Sequence, residues 1–241
     1  DTPVTLAAFA AHSGAEYIRA DQISTFDALL SFTGGPALKE LEQRWGARRA
    51  LAFYCALDPE VHSRTEPDPR FQCRLGYMGT YSRDRHAAWE RLFLQPALSL
   101  PGQQFVMAGP QYPAMQLPAN VRHDQHLPPS DHSAFYSSGE LTLNITRAPM
   151  VKWGYSPSVR LFEAAGCGTC VVSDRWAGLD ELFAVGEEIL VVDGEEEMIG
   201  LLNSLSQDEA RVMGEKARKR VLSEHSCAVR ARQFLEISQG L

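Results

Sequence analysis

Residues 141–173 read Leu-Thr-Leu-Asn-Ile-Thr-Arg-Ala-Pro-Met-Val-Lys-Trp-Gly-Tyr-Ser-Pro-Ser-Val-Arg-Leu-Phe-Glu-Ala-Ala-Gly-Cys-Gly-Thr-Cys-Val-Val-Ser, and this stretch decides the fold. Its first six residues form a short apolar run, the mark of a buried strand over Leu141 to Thr146. Pro157 to Ala165 has helical character, with Pro at a favoured first position. Thr169 to Ser173 is β-branched and apolar, a second strand. A strand, a crossover helix and a strand imply a parallel pair. The pattern extends both ways. Upstream lie a strand at Leu75 to Thr80, a helix from Arg83 to about Leu98 and a strand at Gln104 to Ala108. A short strand near Val121 and a short helix at Pro128 to Ser137 follow. Downstream come a strand at Glu188 to Val192 and three helices. These are Glu195 to Leu205, one opened by a Ser206/Glu209 capping box, and Cys227 to Ile237. Alternation of this kind means an α/β fold with a doubly wound parallel sheet.

Residues 74–241 thus make one domain. Ahead of it, residues 1–62 hold a partial α/β piece, too small to cover both faces of a sheet. It comprises a helix around Val4 to His12, strands at Asp27 to Thr33 and Arg49 to Leu57, and a helix from Gly34-Gly35-Pro36 to Trp45. Residues 63–73 form the linker, within a polar, proline-bearing stretch. The last helix is expected to pack back on the N-terminal part.

Composition narrows the function classes. Hydrophobic residues make up 44% of the 241, enough for a core, and the net charge is -7. An acidic chain lacks the clustered cations that nucleic acid requires. The basic run Lys216 to Arg220 reads as a solvated helix face. No apolar stretch reaches the ~18 residues that span a bilayer, and no signal peptide is visible. Five scattered cysteines, at 55, 73, 167, 170 and 227, suit a reducing compartment such as the cytoplasm. Asn144-Ile145-Thr146 matches a glycosylation acceptor, but it sits in a buried strand.

Ligands of doubly wound sheets bind beyond the carboxyl ends of the strands, where strand order reverses. With order 3-2-1-4-5-6, the facing loops are Gly79-Thr80-Tyr81-Ser82-Arg83-Asp84-Arg85 and Ala148 to Ser158. Both lead into helix N-termini, which favour anions. In the second, Ser156 suits the N-cap and Pro157 the first turn, leaving the N–H groups of Ser158 and Val159 free and Arg160 beside them. Glu163 follows Ser156 by seven residues, about 10 Å along the same face. That spacing fits a diphosphate at the helix end and a ribose diol on the carboxylate; a solvated or otherwise paired Glu fits it equally. In the first loop, Gly76 and Gly79 permit close approach and Arg83 and Arg85 could neutralise phosphate; a plain structural turn fits as well. No Gly-x-Gly-x-x-Gly occurs, which disfavours a nicotinamide oxidoreductase. Cys167 and Cys170 form a Cys-x-x-Cys, but a helix ends and a strand begins there, the reverse of a redox motif. His123, Asp124, His126, Asp131 and His132 cluster in sequence, yet their proline-rich setting reads as a loop. Among them His132 is the candidate substrate contact.

The run Gly154-Tyr155-Ser156-Pro157-Ser158-Val159-Arg160-Leu161-Phe162-Glu163-Ala164-Ala165, with Cys167-Gly168-Thr169 and Val171-Val172-Ser173-Asp174, resembles the CgeB-like (spore-maturation-protein-like) glycosyltransferases. Leu30 to Gly35, Leu75 to Arg85, Phe105 to Tyr112 and His126 to Met150 share the likeness. The resemblance implies a GT-B architecture of twin Rossmann-like domains, the N-terminal one represented here only in part. It implies sugar transfer from a nucleoside-diphosphate sugar to an unknown acceptor, with no metal and no cofactor beyond the donor. Residues and resemblance together give the expected donor contacts: Gly79, Thr80, Tyr81, Ser82, Gly109, Asn144, Tyr155, Ser156, Pro157, Ser158, Val159 and Glu163. Arg85 and Arg160, whose charge can stabilise the departing diphosphate, and His132, from its place in the loop region, are the expected catalytic groups. Glu163 matches the second Glu of an E-x7-E pair that contacts the donor ribose, and Tyr155 stands where the first would be. A protein that keeps the fold for nucleotide binding or envelope assembly without catalysis is the competing expectation.

Overall fold

Two parallel sheets organise the chain. The computed structural model describes Pro3, Leu6, Ala7 and residues 19–240; most of the helix expected around Val4 to His12 lies outside these residues.

The smaller sheet pairs β1 (Leu29–Ser31) with β2 (Ala50–Ala52), Leu30 opposite Leu51. Helix α1 (Pro36–Gln43) joins them, with Pro36 in its first turn and Gly35 ahead of it at φ 55°. Both strands are shorter than their apolar runs suggest. Beyond Ala52 the chain leaves the ladder, and Leu57 instead bridges Ser226.

The larger sheet holds β3 (Cys73–Met78), β4 (Phe105–Ala108), β5 (Val121–Asp124), β6 (Gly139–Asn144), β7 (Cys170–Ser173) and β8 (Leu190–Val191). Its order is β5-β4-β3-β6-β7-β8, that is 3-2-1-4-5-6 counted from β3. Every pair is parallel, with Leu75 opposite both Phe105 and Leu141.

After β3 comes α2 (Arg83–Trp89), which widens into a π turn (Glu90–Leu94) before α3 (Gln95–Ser99). One uninterrupted helix was the expectation. The widened turn falls directly before Pro96, whose ring clashes with the carbonyl four residues back in a regular helix. Helix α4 (His132–Ser138) precedes β6, and α5 (Ala148–Trp153), unforeseen in the sequence, follows it. Then come α6 (Val159–Gly166), α7 (Glu195–Ser204), α8 (Gln207–Glu224) and α9 (Cys227–Gln239). The Ser206/Glu209 capping box opens α8: Glu209 N–H donates to Ser206 Oγ and Ser206 N–H to Glu209 Oε2.

Strand alternation sends side chains to two cores. On one face, Phe162, Leu161 and Ala165 of α6 pack with Phe135, Val171 and Val221. On the other, Trp89, Leu92 and Phe93 pack with Tyr77, Leu143, Val172 and Met198. Each large side chain buried this way contributes about 1.5–3 kcal/mol. The basic run is spent within the fold: Lys216 pairs with Glu187, Arg220 with Glu188 and Glu224, and Arg218 donates to the Gly166 carbonyl.

Helix α9 runs back along the smaller sheet. Arg230 Nε donates to the Tyr54 carbonyl at 3.0 Å and Gln233 Nε2 to the Ala52 carbonyl at 3.2 Å. Phe53 meets Phe234 edge to face. At the turn before α9, His225 is buried and stacks on Phe162 with ring centroids 4.8 Å apart. Its Nδ1 accepts from Arg230 at 2.8 Å, so this nitrogen carries no proton. Burial, with the Arg230 charge beside it, pushes the imidazole down to about 4. The unfolded chain therefore takes up a proton near pH 6.5 that the native state refuses until about pH 4. The stabilisation is complete above pH 6.5 and declines as pH falls through that window, by up to about 3 kcal/mol. Urea titrations at pH 7 and pH 4 should show a smaller loss of unfolding free energy in His225→Gln than in the parent. Equal losses would remove His225 as the acid-sensitive group.

Candidate functional site

The carboxyl ends of β3 and β4 meet backbone to backbone. Gly79 N–H donates to the Ala108 carbonyl, and Gly109 N–H to Asp124, both within 2.9 Å. Gly109 sits at φ 144°, and a Cβ placed on it would fall 2.1 Å from the Gly79 carbonyl oxygen. Only a residue without a side chain fits here.

Across the switch point, β6 ends in a buried polar network. Asn144 Nδ2 donates to Ser173 Oγ at 3.0 Å and Thr146 Oγ1 at 3.3 Å. Asp174 accepts from Thr146 N–H and Oγ–H at 2.8 to 3.1 Å. Burial pushes the Asp174 carboxyl above its ordinary range, against hydrogen bonds that favour the ionised form. Asn144 is fully buried and its amide is consumed inside the protein, which explains the acceptor-like tripeptide at 144–146.

Helix α6 starts two residues later than the sequence suggests. Ser158, not Ser156, is its N-cap and accepts from Arg160 N–H at 3.4 Å. Ser156 is drawn away because its hydroxyl bonds Thr33 Oγ1 of the smaller sheet at 2.8 Å, a tertiary partner no local pattern reveals. Pro157 is buried ahead of the cap.

Arg160 donates to Asn144 Oδ1 at 3.3 Å and lies 5.8 Å from the Tyr77 ring centroid. Among the described residues no carboxylate pairs with it. One turn on, Glu163 Oε1 lies 3.7 Å from His62 Nε2. Arg160 and Glu163 both line a cleft of about 360 Å³ at the carboxyl ends of β3 and β4.

Eight of the expected site residues line this cleft together: Gly79, Thr80, Gly109, His132, Ser158, Val159, Arg160 and Glu163. Pro110, His126, Leu127 and Tyr136 also line it and were not singled out as ligand contacts. Leu127 and Tyr136 are apolar neighbours of a histidine-bearing loop, and nothing in their spacing marks them. The remaining expected residues stand outside the lining. Tyr81 packs on His86 and Tyr112. The Ser82 hydroxyl bonds Asp84. Arg85 donates to the Thr80 carbonyl at 2.6 Å. Asn144 acts behind Arg160. Tyr155 adopts φ 48°, rare for a residue with a side chain. Its ring fills the space beside two glycines: a Cβ on Gly35 or on Gly178 would lie 2.3 Å from it. Its carbonyl accepts from Gly34 N–H at 2.8 Å and its N–H donates to Ala177 at 2.6 Å. Tyr155 thus joins the two sheets.

A larger hollow of about 610 Å³ lies at the opposite, amino ends of β6 and β7. Its arginines are already paired, Arg64 with Glu215 and Arg211 with Asp208, and Glu140 pairs with Arg74, so no free cation among the described residues there awaits an anionic ligand. Cys167 and Cys170 reach it, but burial holds their thiols up to about 11 and about 12, far from the thiolate that redox chemistry needs. The histidine-aspartate cluster disperses: His123 bonds the Gly109 carbonyl, Asp124 pairs with Arg122 and Asp131 with Arg70.

A sheet of order 3-2-1-4-5-6 and a second parallel sheet joined to it at the switch point match the α/β fold of GT-B glycosyltransferase structures. The chain belongs to the Glycosyl transferase-like family, which it matches over residues 83–236. Among solved structures it is similar to the sucrose-phosphate synthase of Thermosynechococcus elongatus, with 16% identity and a TM-score of 0.67 over 92% of this chain and 60% of that one. Anabaena HepE in complex with UDP-glucose matches at 14% identity and a TM-score of 0.70, over 100% of this chain and 69% of that one. TarM matches at 11% identity and a TM-score of 0.67, over 90% and 44%. The chain therefore spans about two thirds or less of these structures. No curated protein matches it. No helix among the described residues is long and apolar enough to cross a membrane.

Proposed function

We propose that the chain is the donor-binding part of a glycosyltransferase that moves a sugar from a nucleoside-diphosphate sugar to an acceptor. One observation carries the reading: Arg160, uncompensated by any described carboxylate, and Glu163, one turn on, share a cleft at the switch point. The guanidinium and the first turn of α6 receive the diphosphate, and Glu163 accepts from the ribose hydroxyls. As the glycosidic bond breaks, Arg160 stabilises the charge gained by the leaving diphosphate. The protein supplies that positive charge itself, so the reading requires no metal and no cofactor. His132 faces the same cleft and is the candidate contact for the transferred sugar. The motif likeness at 154–174 favours a CgeB-like subfamily, and the odd, scattered thiols favour a cytoplasmic setting.

HepE is described with UDP and UDP-glucose, so uridine nucleotides come first in a calorimetric panel with GDP and dTDP. Glu163→Ala removes one or two charge-assisted hydrogen bonds of about 1.5–3 kcal/mol each, so affinity should fall at least about tenfold. Unchanged affinity in a folded variant would sink the ribose role. Tyr155, wedged between glycines where related enzymes carry a sugar-contacting Glu, favours a second reading: a binding protein without transfer activity. Release of sugar from the donor, assayed with the full-length protein, separates the two.

A further inference from the structure

Residues 57–68 lie as a strap across α4 and the end of α6. Leu57 is fully buried and packs on Gly166, where a Cβ would lie 2.6 Å from it. The Val61 carbonyl accepts from Ser133 Oγ at 2.9 Å, and Arg64 donates to the Gly168 carbonyl at 3.2 Å. Thr65 N–H donates to Ser137 Oγ and Asp68 N–H to Ser138 Oγ, at 3.1 and 2.8 Å. Held at these points, the strap places one imidazole behind two residues that line the cleft, Glu163 and His132. His62 is only 13% exposed, and its Nε2 is buried with no hydrogen-bond partner. The charged atom it meets is Glu163 Oε1 at 3.7 Å, and its ring centroid lies 6.1 Å from that of His132.

A buried ring nitrogen left without a partner is costly, and 3.7 Å is slightly long for a hydrogen bond. A small rotation of Glu163 satisfies both groups, with Nε2–H donating to Oε1. We infer that His62 is a positioning residue for donor recognition: it holds one oxygen of the Glu163 carboxylate and leaves the other for the ligand. This rests on the proposed ribose role of Glu163. A glutamate so held has already lost the rotamer freedom that binding would otherwise remove.

The test is a double-mutant cycle read by calorimetry on the full chain. UDP, GDP and dTDP are titrated first, and the tightest is carried into the variants. His62→Ala should weaken it about three- to tenfold, the loss of one hydrogen bond. His62→Gln, whose amide can donate to the same oxygen, should recover most of that loss. In a Glu163→Ala background, His62→Ala should change nothing further. An equal His62→Ala loss in both backgrounds, or no rescue by His62→Gln, overturns the inference while leaving Glu163 its role. Unchanged affinity in Glu163→Ala alone overturns both.

Discussion

On the proposed donor role, Arg160→Met should slow release of diphosphate from a nucleotide sugar by about 10²–10³-fold, a loss of about 3–4 kcal/mol of transition-state stabilisation. The magnitude follows from how the guanidinium is held. It is fixed by Asn144 Oδ1 at 3.3 Å and by the Tyr77 face, and no described carboxylate neutralises it. A charge positioned in advance need not reorganise as the leaving group gains charge. Methionine keeps the aliphatic bulk and removes the charge, so folding should be spared. Arg160→Lys should rescue poorly, because an ammonium cannot hold the Asn144 bond and reach the diphosphate in the same planar geometry. Steady-state rates within about threefold of the parent would exclude Arg160 from the leaving-group site.

Gly109→Ala should lower stability by about 4 kcal/mol, adding backbone strain of ~1–3 kcal/mol to two lost hydrogen bonds of about 1 kcal/mol each. The added methyl would meet the Gly79 carbonyl oxygen at 2.1 Å, its carbonyl carbon at 2.6 Å and Thr80 N at 3.2 Å. All three are backbone atoms, so no side chain can swing aside. The loops after β3 and β4 would have to part, breaking the bonds from Gly79 N–H to Ala108 and from Tyr81 N–H to Pro110. In a chain of this size the melting temperature should drop by roughly 10 °C, and donor affinity should fall with it because both glycines line the cleft. A melting temperature within about 2 °C of the parent would show that these loops separate freely.

Much of this architecture is written in local pattern. Apolar runs such as Leu141 to Thr146 and Val171 to Ser173 mark buried strands, and their alternation with helices fixes a parallel sheet. A strand order of 3-2-1-4-5-6 then sets the Gly79 loop facing the loop that ends at Ser158 without any distance being known. What local pattern could not carry are effects of distant partners. Ser156 has the chemistry of an N-cap, but Thr33, 123 residues earlier, takes its hydroxyl, so the helix begins at Val159. Ala148–Trp153 holds Pro149 and Val151 and ends at Gly154, too short and too irregular for a helical period to show. Tyr155 reads as a donor contact from the family pattern, yet Gly35 and Gly178 form the slot that holds it. His62 carries no signal: a lone histidine in a polar stretch meets Glu163 only because the strap crosses α6.

The return of α9 to the smaller sheet orders events during synthesis. Leu57 N–H donates to the His225 carbonyl and Cys227 N–H to Leu57, while Ala52 and Tyr54 accept from Gln233 and Arg230. Residues 29–57 leave the ribosome well before these partners exist. Their polar groups and Phe53 must wait, exposed, while the larger sheet assembles. Translation from Leu57 through Gln239 at ~5–20 residues per second takes about 10–40 s. For that interval the Ala52 and Tyr54 carbonyls and the Phe53 ring lack the partners that α9 later supplies.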